Sequence, residues 1–254
     1  MGIYKKRNLN IEYEFLVGDS DIFGIKIANI SSFSIESEMC DVIKMCDFLN
    51  ELRYSNVGMV GIRLLQSNLK HINFFENEGF NFVECSYKPS AYLNEITTNS
   101  FAKGFTISAA THSDAIEISA AAQNIFNHGR YHQDCHIDNE LADYRYGRWV
   151  KNAFCSKNQF VLKCNDSAGS LVAFFVVEYP RRGVCLLSLV GLMPNYIGKK
   201  IAKDVWQSLF TVLKVQGINE VLTSISSHNV AVFNLYVSLG FRFSEPEVTL
   251  HKWL

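Results

Sequence analysis

The chain lacks several features that would have assigned its class at once. No apolar run approaches the ~18 residues of a membrane-spanning helix, so no membrane insertion is expected. The start, MGIYKKRNLN, is polar where a secretory signal carries an apolar stretch. Lys6 stands where an N-myristoylation signal carries Ser or Thr. The seven cysteines are Cys40, Cys46, Cys85, Cys135, Cys155, Cys164 and Cys185, and they contain no C-x-x-C pair. Scattered and odd in number, they read as reduced thiols, and a cytoplasmic location is expected. Net charge is −1, which argues against a nucleic-acid partner.

What is present is a globular chain. Of 254 residues, 48% are hydrophobic, enough for one large or two small domains. The informative stretch is 184–241, which reads as strand, turn, helix, strand, helix. Val184 to Val190 is a short apolar run suited to a buried strand. Pro194 and Gly198 punctuate the turn. From Ile201, apolar residues recur at helical spacing through Val205, Leu209 and Val212, and Gly217 closes that helix. Val221 to Ser226 reads as the next strand, and Asn229 caps a helix stopped by Gly240. A strand that turns directly into a helix offers unpaired N–H groups and partial positive charge to a phosphate. An ordinary βαβ unit without a ligand would show the same order.

This stretch resembles the acetyl-CoA-binding core of the GNAT superfamily, the GCN5-related N-acetyltransferases, whose turn commonly reads Q/R-x-x-G-x-G/A. The matching residues are Ile197, Gly198, Lys199, Lys200, Ile201 and Ala202. Ala202 fits, Lys200 replaces the first glycine, and Ile197 replaces Gln or Arg. Asn229, Tyr236, Gly240 and Phe241 match the family's N…Y…GF pattern. The resemblance implies a mixed α/β GNAT fold with acetyl-CoA as co-substrate. It places the pyrophosphate at Gly198 to Lys203, with Lys199 and Lys203 adding charge. Backbone N–H groups of Leu189, Val190 and Gly191 would polarise the thioester, with Asn229 completing the cofactor contacts. Tyr236 becomes the acid that protonates the leaving thiolate, because a phenol with pKa near ~10 holds its proton at neutral pH. A packed helix tyrosine is the plain alternative.

The first half echoes the second. Shifting Asn68 by 229 − 68 = 161 positions lays it on Asn229, Phe75 on Tyr236, Gly79 on Gly240 and Phe80 on Phe241. Residues 1–95 are therefore expected to form a smaller, degenerate GNAT-like lobe ahead of a catalytic domain over 96–254, with a linker from Lys88 to Lys103. Before Val57 no glycine-lysine turn follows a strand, so acetyl-CoA is expected in the second half only. Within the first lobe, Tyr13 to Val17 and Phe23 to Ile30 read as strands with a turn at Asp19-Ser20-Asp21 between them. Glu38 to Leu52 reads as a helix burying Met39, Val42, Ile43, Cys46 and Leu49. The segment Asp19-Ser20-Asp21-Ile22-Phe23-Gly24 is similar to the D-S-x-F-F-G segment of the TDP-fucosamine acetyltransferases.

The stretch 130–152, RYHQDCHIDNELADYRYGRWVKN, is rich in His, Asp, Arg and Tyr. It reads as a loop followed by a helix from Asn139. Alternation of His132, Asp134, His136 and Asp138 could suggest zinc ligands, but alternate residues rarely converge on one ion, and no metal is expected. A solvated polar loop is the simplest reading. The preferred one follows its resemblance to the acceptor segment of sugar-nucleotide acetyltransferases. Arg130 and Arg145 would meet phosphates, and Tyr131 and Trp149 a sugar face or base, with Asp134 and His136 as further acceptor contacts. His132, His136, Asp134 or an ordered water could take the amine proton, and His132 is put forward as the catalytic candidate beside Tyr236. The implied reaction is N-acetylation of a nucleotide-linked amino-deoxysugar for surface polysaccharide. A homodimer is compatible with the chain. Alternatives are an acetyltransferase for a peptide N-terminus, polyamine or antibiotic amine, or a non-catalytic CoA-binding module.

Overall fold

The computed structural model describes residues 2–6, 9–35, 41–96 and 104–254. In chain order the first elements are β1 (Gly2–Lys6), β2 (Leu9–Phe15), α1 (Val17–Phe23), β3 (Lys26–Ile35), α2 (Asp41–Tyr54), β4 (Val57–Leu65), α3 (Leu69–Asn77), β5 (Asn81–Tyr87) and β6 (Ser90–Tyr92). There follow β7 (Phe105–Ala109), α4 (Ala115–Ile125), α5 (Arg130–Gln133), α6 (Asn139–Cys155), β8 (Gln159–Asp166), β9 (Leu171–Arg181) and β10 (Val184–Leu192). The chain ends with α7 (Ala202–Val215), β11 (Glu220–Thr223), β12 (Ile225–Ser226), α8 (Val230–Ser238) and β13 (Glu247–Trp253). Among the described residues, no helix is long and apolar enough to cross a membrane.

These elements gather into two units. One holds residues 1–86, 129–141 and 245–254, and the other 87–128 and 142–244. The single boundary expected near residue 95 thus meets units that are each assembled from separate stretches.

In the first unit the sheet runs β1-β2-β3-β4-β13-β5. β3 and β4 are parallel, and β13 lies antiparallel to both β4 and β5, so the last strand of the chain completes this sheet. β13 alternates. Val248 and Leu250 enter the core with Phe48, Val60, Phe75 and Phe80, while Thr249 and His251 face the other way, as a period of two dictates. The α2 face differs from the sequence expectation. Met45, Phe48, Leu49 and Leu52 are buried at i, i+3, i+4 and i+7, whereas Cys46 is exposed. The bulky Phe48 belongs on the core side, which rotates the stripe away from Cys46. Met39, Val42 and Ile43 lie outside the residues whose side chains are described, as does the stretch between β3 and α2.

A second correction concerns Asp19-Ser20-Asp21, which is helical in α1 rather than a turn. Ser20 Oγ donates to the Leu16 carbonyl (2.8 Å) and accepts from the Ile27 amide (2.9 Å), while Gly24 at φ 68 ends the helix. α1 buries no residue, so it leaves no hydrophobic period to read.

In the other unit the sheet runs β6-β11-β10-β9-β8-β7. Its edge strand β6 comes from the expected linker and pairs antiparallel with β11. β9 is apolar on both sides. Phe174 and Val176 pack with Ile118, Ala122 and Val150 of α4 and α6, while Phe175 and Val177 pack with Leu209 and Leu213 of α7. Helices therefore cover both faces, which explains a continuous apolar run where an amphipathic strand would alternate. Gly191 on β10 marks a tight point, because an added Cβ would lie 2.4 Å from Ile125 Cδ1 and 2.7 Å from the Phe174 ring. Gly191→Ala should cost about 1–3 kcal/mol in urea unfolding through overpacking.

The repeat is real at the level of backbone geometry. Asn68 and Asn229 both precede their helices at φ −82° and −84°, and Gly79 and Gly240 both end them at φ 81° and 84°. The closing bonds also correspond at the 161-residue offset: Phe80 N–H to Phe75 C=O (2.9 Å) and Phe241 N–H to Tyr236 C=O (3.0 Å). The order β3-α2-β4-α3 in one unit matches β10-α7-β11-α8 in the other.

Candidate functional site

β10, the strand expected to hold the thioester, parts from β11 beyond Leu187. The two strands pair in parallel from Val184–Glu220 to Leu187–Thr223, and the pairing stops there. β10 continues to Leu192 against β9 alone, after a register shift between Leu187 and Leu189. The Met193 amide donates to the Val172 carbonyl of β9 (2.8 Å). Alternation back along β10 points the Gly191 and Leu189 amides toward β9 and those of Val190 and Leu192 to the opposite edge. Of the three expected thioester contacts, Val190 is the one whose N–H faces the split. The expected single strand from Val221 to Ser226 is broken at Ser224 into β11 and β12.

Tyr236 projects from α8 into this region. It is 3% exposed, stacks on Phe241 (4.7 Å) and meets Trp206 edge-on (5.2 Å). Burial, partly offset by a hydrogen bond with the Thr223 side chain, pushes its phenol up to about 12. The group is therefore fully protonated at neutral pH. Thr223 Oγ1 in turn donates to the Leu187 carbonyl (3.1 Å), at the last paired position of the two strands. Asn229 caps α8, its Oδ1 accepting from the Val232 amide (3.2 Å).

After β10, a short 3₁₀ turn at Pro194–Tyr196 leads into the expected pyrophosphate loop. The Tyr196 hydroxyl donates to Asp166 Oδ2 (2.9 Å), anchoring that turn on the β8–β9 hairpin. Gly198 has φ 81°, and Lys200 has φ 61°. Lys200 thus adopts the left-handed backbone for which the family pattern has glycine, at a steric cost of about 1–2 kcal/mol. Ile201 provides no side-chain cap for α7, so the N–H groups of its first turn are left for a ligand. Lys199, Lys200 and Lys203 are exposed there, Lys199 with its ammonium 4.8 Å from the Tyr196 ring. These features fit an anionic cofactor. The open depression of about 840 Å³ beside Tyr196 and Lys199 fits one less well, since Asp114 and Glu117 line it as well.

The 130–152 segment divides between the units. In the first, α5 replaces the expected loop start. Tyr131 is buried and donates to Asp19 Oδ2 (2.7 Å), its ring packing on Phe23 (4.7 Å). Arg130 donates to the Tyr131 hydroxyl (2.9 Å) and lies 3.5 Å from Asp19. Asp134 is buried and accepts from His251 Nδ1 (2.7 Å), Trp253 Nε1 (3.1 Å) and the His136 amide (3.1 Å). Burial would raise the Asp134 carboxyl, but these hydrogen bonds outweigh it and hold it well below its ordinary 3.8. His251 is 1% exposed, and burial lowers it from 6.5 against the pull of Asp134. The pair is thus a carboxylate and a neutral imidazole. Tyr131 and Asp134 are engaged internally, whereas His132 is half-buried and His136 exposed. Among the described residues, ligand atoms of Asp134, Cys135 and His136 lie within 4.8 Å of one another. Both oxygens of that carboxylate already accept hydrogen bonds, and Asp138 is engaged at the start of α6, accepting from the Glu140 amide (2.8 Å).

In the other unit, Arg145 and Trp149 come together on α6. The guanidinium lies 5.2 Å from the indole, and Phe126, Tyr146 and Trp149 form a ladder of stacked rings. Sequence reading missed Thr223, His251 and Trp253. Residues 117 and 119 positions from Asp134 carry no local signal of their partnership with it.

A family model for the acetyltransferase (GNAT) domain matches residues 107–250. The chain belongs to the GNAT acetyltransferase family. The acetyl donor of this family is acetyl-CoA. A curated relative, the spore coat polysaccharide biosynthesis protein SpsD of Bacillus subtilis (strain 168), is 26% identical over 142 residues. That match spans 55% of this chain and 48% of SpsD, about half its length. Among solved structures, a GCN5-related N-acetyltransferase from Sphaerobacter thermophilus superposes with TM-score 0.65 at 14% identity, over 97% of this chain and 76% of that one. A tandem GNAT protein from the clavulanic acid biosynthesis pathway gives 0.61 at 12%, over 91% and 76%. At these identities the structural likeness speaks for the fold, including its two-lobed arrangement.

Proposed function

We propose that this GNAT protein is an N-acetyltransferase that moves the acetyl group of acetyl-CoA to the amine of a nucleotide-linked amino-deoxysugar in surface polysaccharide biosynthesis. The observation that carries the transfer chemistry is the β10–β11 split, with a protonated phenol beside it and an uncapped helix after it. Val190 N–H would polarise the thioester carbonyl, Gly198 to Lys203 would hold the pyrophosphate, and Tyr236 would give its proton to the departing thiolate. Positioning the two reactants supplies much of the remaining acceleration. Residues 96–254 carry this site in the proposed division, and 1–95 support it.

The sugar-nucleotide acceptor is supported by three further observations. The Asp19 and Arg130 segments, which separately resemble sugar-nucleotide acetyltransferases, meet through Tyr131 and Arg130. The relative SpsD is named for polysaccharide biosynthesis. The Arg145–Trp149 pair offers a cation and a flat ring to a phosphorylated ligand with a base. Trp149→Ala should raise KM for a TDP- or UDP-amino sugar roughly tenfold and spare KM for acetyl-CoA. Arg145→Lys should do the same more weakly, because lysine lacks the planar fork. Steady-state kinetics in both substrates measures this, and unchanged acceptor KM in both variants would remove α6 from the acceptor site.

A further inference from the structure

β10 carries a fault at the place where it parts from β11. Its register against β9 shifts between Leu187 and Leu189, which leaves Ser188 as the extra residue of a β-bulge. In a regular strand Leu187 and Leu189 would share a face. Here Leu187 joins the cluster that holds Tyr236 and Trp206, and Leu189 the one that holds Phe174, Val176 and Trp149. Glu178 follows Val176 by two residues on β9 and so shares its face. The Ser188 hydroxyl points to that face, where it donates to Glu178 Oε1. Gln159 Nε2 donates to the same oxygen (2.9 Å). Among the described residues, Glu178 Oε2 accepts no hydrogen bond. All three side chains belong to half-buried residues. A hydroxyl that gives its proton to a carboxylate keeps two lone pairs for a further donor.

We propose that Ser188 and Glu178 form the relay that takes the proton from the acceptor amine. The inference rests on the reading of the β10–β11 split as the site of acetyl transfer. Ser188 lies two residues before Val190, about 7 Å along a strand. An amine attacking a carbonyl held by the Val190 N–H would lie between the two. The faces agree with this division. Trp149, the ring offered to the acceptor, packs on the side of Glu178, and Tyr236 packs on the other. The amine then enters from the α4 and α6 side, and the thiolate leaves toward α7 and α8. In the transfer the amine nitrogen forms its bond to the acetyl carbon and the C–S bond breaks. The sulfur keeps the electron pair and takes the Tyr236 proton. The surplus proton on nitrogen passes to Ser188 Oγ as the hydroxyl proton passes to Glu178 Oε1. Glu178 loses that proton to water, and water reprotonates Tyr236, so the sum is amine plus acetyl-CoA giving amide plus CoA.

The test uses the full chain with acetyl-CoA and a TDP-4-amino-4,6-dideoxyhexose. Glu178→Gln keeps an oxygen that accepts from Ser188 and Gln159 but cannot take up a proton at neutral pH. We expect it to lower kcat roughly thirty- to a hundredfold, with little change in KM for acetyl-CoA or in the urea midpoint. A merely structural carboxylate would tolerate that exchange. Ser188→Ala should lower kcat roughly tenfold, and should add nothing in the Glu178→Gln background, since both act through one proton. Glu178→Asp should turn over roughly tenfold faster than Glu178→Asn, a comparison that carries the test should Glu178→Gln fail to fold. Wild-type kcat in Glu178→Gln, equal rates in the Asp and Asn variants, or full additivity of Ser188→Ala would overturn the proposal. If the wild type acetylates the sugar and these variants match it, the relay fails and the transferase reading stands. If the wild type acetylates no amine, the transferase reading fails and the relay falls with it.

Discussion

Tyr236→Phe should lower kcat by roughly a hundredfold or more while leaving acetyl-CoA affinity nearly unchanged. General acid assistance at this scale is ordinary for a positioned proton donor. The ring itself stays, so its contacts with Trp206 and Phe241 survive, and losing the one hydroxyl should change the stability of the fold by no more than about 1 kcal/mol. The loss should appear in kcat, because the interaction is made in the transition state. A second outcome separates chemistry from packing. Phe75 occupies the equivalent place in the repeat and is fully buried, so Phe75→Tyr should destabilise by burying a hydroxyl and create no activity. Steady-state kinetics and urea unfolding on both variants decide it, and an unchanged kcat in Tyr236→Phe would return the residue to a packing role.

Asp134→Ala should strongly destabilise the first unit, costing about 2–4 kcal/mol. It strips the acceptor from the buried His251 Nδ1–H and the half-buried Trp253 Nε1–H, and an unsatisfied buried donor costs about 1–3 kcal/mol. The same pair makes this unit acid-sensitive. His251 is lowered in the fold from 6.5, so its contribution is complete above that value and declines as pH falls below it. Asp134 is also lowered, from 3.8, so its contribution persists above that value and is lost as pH falls further, through its folded pKa. Arg63 and Arg130 add to the effect by disfavouring a charged His251. Urea midpoints between pH 7 and pH 4 should therefore fall in the wild type. His251→Gln should flatten the upper part of that fall. Wild-type stability in Asp134→Ala, or a pH-independent midpoint in the wild type, would contradict the assignment.

Much of the second unit was legible because its signals are local. Val184 to Val190, the Gly198 turn, the Ile201–Val212 spacing and the Asn229–Gly240 frame each sit within one element, and each forms where periodicity puts it. The 161-residue echo was equally readable, since a helix framed by Asn and Gly repeats its backbone angles as well as its letters. Lys200 is a case where the letter departs from the pattern and the backbone does not. Its φ of 61° retains the bend that a glycine would supply.

What the sequence concealed is non-local. β13 reads as one more strand, yet nothing in EVTLHKW says that it pairs with β4 and β5, from 247 − 86 = 161 to 253 − 59 = 194 positions earlier in the chain. The Asp134–His251–Trp253 contact depends on that placement, so the role of Asp134 could not be seen before it. The polar run 130–138 looked like a ligand loop because isolated His, Asp and Arg have no visible partners in sequence. Several of them turn out to satisfy one another or the buried ends of β13. α1 was missed for the opposite reason, being helical without burying a residue.

Acetyl transfer itself tests the central claim most directly. The full chain would be incubated with acetyl-CoA and, in separate reactions, TDP- and UDP-amino-deoxysugars, a polyamine and a peptide with a free N-terminus, and the products read by mass spectrometry. The account predicts one added acetyl group on a nucleotide amino sugar, with release of CoA, and slower or no reaction with the other amines. Acetylation of the polyamine or peptide with every nucleotide sugar left untouched would contradict the acceptor assignment, and no acetyl transfer to any amine would contradict the account as a whole.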